Sequence, residues 1–555
     1  MNTLKTLDYI AIAVFMAMSA GIGVFLGKYV KNIGDYFKGG NTIPWSLAGI
    51  SNFMTMFSTF IFVAYAGIAY ENGLIALVIL WSSIPPALFT AYFLAKRWRR
   101  AGISTPVEFL ETRFNAPVRQ VLSWGGVAFK IVDNMVRLYA IGLFISASTS
   151  LSLEFSILFS GLVVVIYTVI GGLWAVVATD VIQFVILIFT TIILLPLSLQ
   201  AVGGISHLAQ SIPDHFTWFN GEKGAPLFIL AYYILVLLKY SGNWAFIQRF
   251  YSVKDEAAGK KVGLLSAGFF FIFPVLFLLP AIAARTLIPD LDNSEMAYVS
   301  ICLRLLPEGI MGLMIASMFA ATMSTVSAEF NIVASVLTND IYKRLLKPIS
   351  SGRHLMVIAK ISTAAVGLVV TFGALYVNRF GGAFEVNKVF TGLFAVPMII
   401  PLLFGILFSR PRPWGVFATI IIGIGTGLYM LAHPEISWEV ATLIEITACV
   451  VTMLVSGAVP STDKAYLKRV TIFFKKLSIP LTEADKFAIS PVFLKALTVL
   501  FIIALSCTGV LFMAMSIPSL TDLSGKLAMM AGFSCILVAA ALWYVLKQVR
   551  SKPTL

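Results

Sequence analysis

Apolar runs of about twenty residues recur from one end of this 555-residue chain to the other, and that repetition decides most of what it can fold into. A run of that length crosses the roughly 30 Å hydrocarbon core of a bilayer as one α-helix. The chain is 59% hydrophobic and 12% charged, where a soluble domain carries about a quarter charged residues. It reads as an all-α polytopic membrane protein.

Fifteen spans are predicted, from 8–28 at one end to 525–547 at the other, with 300–340 long enough to run past the membrane on the inner side. The first run is too long for the apolar region of a signal peptide, and Lys28, Lys31 and Lys38 follow it rather than precede it, so it is expected to be a retained helix. The net charge of +14 does not mark a nucleic-acid binder, because Lys and Arg cluster in short loops between the runs. With the N-terminus outside and the C-terminus inside, about thirty of the forty Lys and Arg fall in inner loops and about seven in outer ones. The opposite orientation inverts that ratio and breaks the positive-inside bias. Four scattered cysteines at membrane level read as small apolar residues. The four histidines lie far apart, with no spacing for a metal or a catalytic base. No nucleophile–base pair is visible, so the chain is not expected to be an enzyme.

Charge at membrane depth is costly and faces a cavity, a partner or an ion path. The charges read at that depth are Lys130, Arg137, Lys239, Asp133, Asp180 and Glu329.

Four stretches carry unusual polarity. In 320-AATMSTVSAEFN-331, helical spacing projects Ala321, Ser324 and Thr325 together, offering one carbonyl and two hydroxyls. Such neutral oxygens suit a hard monovalent cation; the ordinary alternative is hydroxyls bonded back to their own helix or joining two helices. In 49-GISNFMTMFSTFIFVAYAG-67, Ser51, Asn52, Thr55, Ser58 and Thr59 interrupt an apolar span, as in a helix that unwinds to line a cavity, or as a polar seam. In 167-YTVIGGLWAVVATDVIQF-184, Gly171 and Gly172 predict a tight inner turn before a helix that opens with Thr179 and Asp180. Asp180 then serves the helix dipole or faces the hydroxyl cluster. In 238-LKYSGNWAFIQR-249, Ser241, Gly242 and Asn243 predict a second helix break.

Together these stretches resemble the sodium:solute symporter family, which includes sodium–glucose cotransporters, proline permease and bacterial sialic acid transporters. The resemblance rests on Tyr167–Ala175, on Thr179–Gln183, on Ala321–Ser327 followed by NDIY at 339–342, and on Gln248 with Arg249. It covers roughly residues 5–457. It implies a leucine-transporter-type fold of two five-helix inverted repeats, about 46–200 and about 225–433, within a core of 1–457. Residues 458–555 would add a basic cytoplasmic loop and two further helices. The resemblance further implies a sodium site built from the carbonyls of Met54, Phe57 and Ala321 and the hydroxyls of Ser324 and Thr325. A second cation would use Asp180 and Ser327, but Ala328 stands where another serine is expected, which favours one sodium.

Solute candidates lie against the breaks: Thr55, Ser58 and Thr59 on the first broken helix, Asp133, Asn134 and Arg137 on the fourth span, and Lys239, Tyr240 and Asn243 on the second broken helix. Asp133 occupies the place of an arginine that sialic acid transporters use for a carboxylate, and Lys239 the place of an aromatic gate in sugar transporters. These departures leave a small polar or anionic solute: a sugar, a sugar acid or another organic acid. The ordinary alternative pairs the charges internally, Asp133 with Lys130 or Arg137 and Lys239 with Glu329.

The expected function is sodium-coupled symport by alternating access in a plasma membrane, the inner membrane if the cell is bacterial, with no nucleic acid and no obligate protein partner. The rival is a proton-coupled or sodium-independent transporter of the same fold, with Lys239 or Asp133 titrating. A sensor or a membrane enzyme fits less well. The segment KRVTIFFKK at 468–476 reads either as an interfacial basic helix or as a solvated loop.

Overall fold

The computed structural model describes residues 4–27, 36–37, 39–219, 221–380, 386–387, 389–482 and 491–551. Lys28, Lys31 and Lys38, used above to read the first run as a retained helix, lie outside them.

Among the described residues all regular structure is helical, apart from one bridge between Ile43 and Val253. The principal helices are α1 (Thr6–Gly27), α2 (Trp45–Met56), α3 (Ile61–Asn72), α4 (Ile75–Ala101), α5 (Ala116–Ser148) and α6 (Leu153–Ala201). They continue as α7 (Pro226–Ser241), α8 (Trp244–Ser252), α9 (Glu256–Leu287), α10 (Ile310–Leu346) and α11 (Gly352–Ala374). The last are α12 (Leu393–Leu407), α13 (Pro413–Ala432), α14 (Trp438–Ala458), α15 (Lys464–Ser478), α16 (Pro491–Ser516) and α17 (Leu523–Ser551). Among the described residues ten helical segments are long and apolar enough to cross a bilayer, with Leu153–Ile170 and Val176–Ala201 of α6 counted separately, or twelve when each of two bent pairs counts as one span. The apolar stretches of α1 and α12 are shorter, and α5, 33 residues long, carries Arg119, Lys130, Asp133 and Arg137.

The two bent pairs are α2–α3, at 57°, and α7–α8, at 49°. At the first, Phe57 leaves helical geometry (φ −89°, ψ 78°) while its N–H still donates to Met54 O and Phe53 O. Its own carbonyl is thereby turned out of the helical register. At the second, Asn243 ends one helix and starts the next: its Oδ1 accepts the N–H groups of Ala245 and Phe246, a side-chain cap that fixes where α8 begins. Gly242 is required there, since a Cβ would lie 2.5 Å from Ile399.

Helix α10 is the centre of the bundle, and every residue of Ile310–Val336 is buried. It does not begin at 300 as expected: a short helix, Ala297–Leu305, comes first, and Pro307 and Gly309 (φ +82°) separate the two. Its opening turn is capped from α1, where Asp8 Oδ1 accepts the N–H groups of Gly309 (2.8 Å) and Gly312 (2.7 Å).

The expected turn at Gly171 and Gly172 falls where the two spans of α6, Leu153–Ile170 and Val176–Ala201, meet. The chain is sharply bent between them. Tyr167 Oη lies 2.5 Å from Thr179 Oγ1, whereas twelve residues of straight helix span about 18 Å. The range 225–433 holds α7 through α13.

Segment 464–478 is a helix rather than a solvated loop: Tyr466, Val470, Phe473 and Leu477 are buried, at the spacing of one apolar face. That face packs on the bundle, with Phe473 stacked on Phe109 and Arg113 donating to Tyr466 Oη.

Candidate functional site

The α2–α3 break and α10 meet in the buried centre. Thr325 Oγ1 lies 3.1 Å from Met54 O and 3.0 Å from Ala321 O. Both carbonyls already accept a main-chain N–H, Met54 O from Phe57 at 3.1 Å and Ala321 O from Thr325 within α10. Each keeps a second lone pair, so three buried oxygens converge with lone pairs to spare for a hard cation. Oxygens about 3 Å apart are also close enough to share an ion at the ~2.3–2.6 Å typical of hard-cation ligands. Phe57 lies at the break itself, with its carbonyl outside the helical register.

Ser324, one residue earlier, is turned elsewhere: its hydroxyl donates to Asp180 Oδ1. Ser51 donates to the other oxygen of the same carboxylate at 2.5 Å, and Arg249 reaches Ser51 Oγ at 3.2 Å. Asp180 thus faces the hydroxyl cluster, with Arg249 as the nearby positive charge. Ser327 Oγ bonds Ser324 O within its own helix at 3.0 Å.

A second polar cluster lies between α5, α7–α8 and α10. Lys130 donates to Glu329 Oε1 at 2.8 Å, and Asn243 Nδ2 reaches the same oxygen at 3.3 Å. Asp133 pairs with Arg137 at 3.2 Å and with Lys239 at 3.6 Å, and also accepts from Asn387 at 3.1 Å. The expected pairing of Lys239 with Glu329 is therefore replaced. Lys130, a neighbouring residue on α5, takes the glutamate, and Lys239 turns to Asp133, Asn387 and Thr391. Asn134 bonds back to Lys130 O and leaves its Oδ1 buried without a partner among the described residues.

A cavity of about 100 Å³ opens beside this cluster, bordered by Phe57, Arg137, Lys239, Tyr240 and Asn243. Aromatic rings wall it: Phe60, Tyr65, Phe228, Tyr232 and Trp438. Tyr65 and Tyr232, from the two broken helices, bond hydroxyl to hydroxyl at 2.5 Å. A second, smaller cavity, lined by Gly126, Lys130 and Trp244 among others, shares Lys239 and Asn243 with the first.

Of the solute candidates, Arg137, Lys239, Tyr240 and Asn243 border the larger cavity. Thr55, Ser58 and Thr59 do not. Thr55 bonds Ser51 O, and Thr59 is tied to Met318 O and Thr322, all within the helix contact. Ser58 Oγ is buried without a hydrogen-bond partner among the described residues. Asp133 and Asn134 stand behind the lining rather than in it.

Asn387 and Thr391 were not anticipated, although two polar residues at i and i+4 in an apolar segment are a readable signal. Six further charged residues among those described, Asp8, Arg99, Arg113, Arg249, Asp340 and Glu445, are also buried in helices. The sequence reading left out Asp8 and Arg249 because they fall at span ends, and Glu445 because it falls in a flanking span.

The sodium:solute symporter family model matches residues 36–423. A sodium/glucose cotransporter of Vibrio parahaemolyticus is 26% identical over 470 residues, covering 78% of this chain and 86% of that one. The sodium/sialic acid symporter NanT of Aliivibrio fischeri is 25% identical over 451 residues, covering 78% and 89%. A solved Na+-coupled sialic acid symporter, substrate-bound and outward-open, superposes with a TM-score of 0.73 at 22% identity, covering 82% of this chain and 98% of that one.

Proposed function

We infer that this chain, which belongs to the sodium:solute symporter family, holds its transported sodium where Met54 and Thr325 meet. The protein is a multi-pass membrane transporter and not an enzyme, and it couples a small solute to sodium. The observation that carries the ion site is the convergence of the Met54 and Ala321 carbonyls on Thr325 Oγ1, at 3.1 and 3.0 Å. The Phe57 carbonyl and a rotated Ser324 hydroxyl would complete five oxygens. Sodium is cargo here, bound from one side and released to the other.

One sodium per cycle is the reading these residues favour. Asp180 keeps its bond from Ser51, which Arg249 also reaches, and Ser327 is spent on its own helix. A sodium ion entering down 100 mV releases about 2.3 kcal/mol, enough to concentrate a neutral solute roughly fifty-fold.

We read the solute site as the larger cavity, with Arg137, Lys239, Tyr240 and Asn243 as its polar border. Lys239 and Asn243 separate two cavities, as alternating access requires of residues at a midplane site. The finer topology belongs to the same proposal: fifteen spans, N-terminus outside, C-terminus inside, in the plasma membrane. So do a core of 1–457 built on two inverted repeats and the flanking part 458–555. The deciding experiment is uptake into proteoliposomes with and without a sodium gradient. Accumulation that is equal without sodium would remove the coupling and leave a uniporter.

A further inference from the structure

We propose that the solute is a monoanion carrying a carboxylate, read by Lys239 together with Arg137; this rests on the symport reading above. Five charged groups of the described residues meet in the central cluster: Lys130, Arg137 and Lys239 against Asp133 and Glu329. Lys130 and Glu329 neutralise each other at 2.8 Å. Asp133 must serve both Arg137 and Lys239, so one positive charge is left over. (Glu385 and Lys388, which flank Asn387 in sequence, lie outside the described residues and carry opposite charges.) An uncompensated charge at membrane depth is expensive, and the missing negative charge is what a ligand can bring.

Geometry names Lys239 as the receiving group. Its ammonium has three donors, and two of them rest on neutral oxygens, Asn387 Oδ1 at 3.1 Å and Thr391 Oγ1 at 3.0 Å. Its distance to Asp133, 3.6 Å, is the longest of the three ion pairs in the cluster. Exchange of neutral partners for a carboxylate costs the protein little, and charge-assisted bonds are stronger than those they replace. Arg137 borders the same cavity and adds a planar donor face. The remaining wall is aromatic and apolar, which fits the organic body of an acid better than an inorganic anion. A single surplus charge matches a monoanion, whereas a phosphate dianion would overshoot it. Because Lys239 borders both cavities, the same ammonium can hold the anion before and after the change of access.

The test uses the purified full chain, with thermal stabilisation and proteoliposome uptake measured for matched pairs of acid and neutral twin: glucuronate and glucose, galacturonate and galactose, N-acetylneuraminate and N-acetylmannosamine, lactate and 1,2-propanediol. The expected result is that an acid binds at least tenfold more tightly than its twin. Lys239→Met should weaken that acid at least tenfold, and Lys239→Arg should restore part of the loss. Gel filtration and sodium-induced stabilisation of Lys239→Met separate lost recognition from lost folding. Equal binding of twin and acid, no acid bound at all, or an unchanged acid affinity in a folded Lys239→Met would overturn the proposal. Sodium-driven uptake of a neutral twin alone would defeat the anion inference and spare the symport. Acid uptake without sodium would do the reverse.

Discussion

Thr325 Oγ1 lies 3.1 Å from the main-chain oxygen of Met54, although 271 residues separate them. Their meeting needs two independent features. One is a helix that loses its register at Phe57; the other is a small hydroxyl on a central helix whose neighbours Ala320 and Ala321 are also small enough for close approach. Neither feature alone makes an ion site.

Removing either hydroxyl should therefore act on the ion before it acts on the solute. Thr325→Ala and Ser324→Ala are expected to raise the sodium concentration for half-maximal uptake about tenfold, equivalent to about 1.4 kcal/mol. Thr325→Ser keeps the oxygen and should stay near the parent. Sodium titration of uptake decides it, and an unchanged half-saturation in both alanine variants removes these side chains from the site.

The pair Lys130–Glu329 makes a different prediction. Both groups are buried and 2.8 Å apart, so loss of one leaves an unpaired charge, a penalty of about 3–5 kcal/mol. Lys130→Met should lose most of its thermal stability in detergent. The double change Lys130→Met with Glu329→Gln removes both charges and should recover much of it. A double variant as unstable as the single would mean that the pair is not what the lysine provides.

Both helix breaks were legible in the sequence because a bilayer offers no water to a stray polar residue: Ser58 and the run Ser241–Asn243 had to mark something. The hydroxyl cluster was legible for the same reason. Pairing was not. Whether Lys239 meets Glu329 or Asp133 depends on how α7 is rotated against α5 and α10, and rotation is set by close packing such as that of the Gly242 backbone against the Ile399 side chain. The start of α10 was misplaced because an apolar run continues through Ala297–Leu305, and only Pro307 and Gly309 betray the interruption.

Asp8 gives a prediction remote from the cavity. Its carboxylate caps the first turn of α10 through two N–H groups, and a Cβ on Gly312 would lie 2.3 Å from Asp8 O. Asp8→Ala strands those donors in a buried place and should cost about 1–3 kcal/mol. Gly312→Leu should be worse, because backbone stands in the way. Thermal unfolding with and without sodium measures both, and stability equal to the parent in Asp8→Ala would show that the cap is dispensable.

The pH dependence of stability has one identifiable contributor outside the membrane-spanning helices. Glu111, in the short helix Phe109–Arg113, is gripped by Arg344 and by Arg119. The hydrogen bonds from Arg344, and next to them those from Arg119, hold its carboxyl down at about 2 from an ordinary 4.5, against the opposing effect of burial. A folded pKa below the unfolded one means that the unfolded chain binds the proton first as pH falls. The contribution is thus fully present above about pH 4.5 and is lost progressively between there and about pH 2. Because the carboxylate is partly solvated, screening makes it smaller than the shift alone implies. Glu111→Gln should lower the unfolding temperature at neutral pH and leave the variant with a flatter decline than the parent between pH 5 and pH 3. Parallel declines in the two proteins would mean that Glu111 is not the group whose protonation loosens the link between α10 and the start of α5.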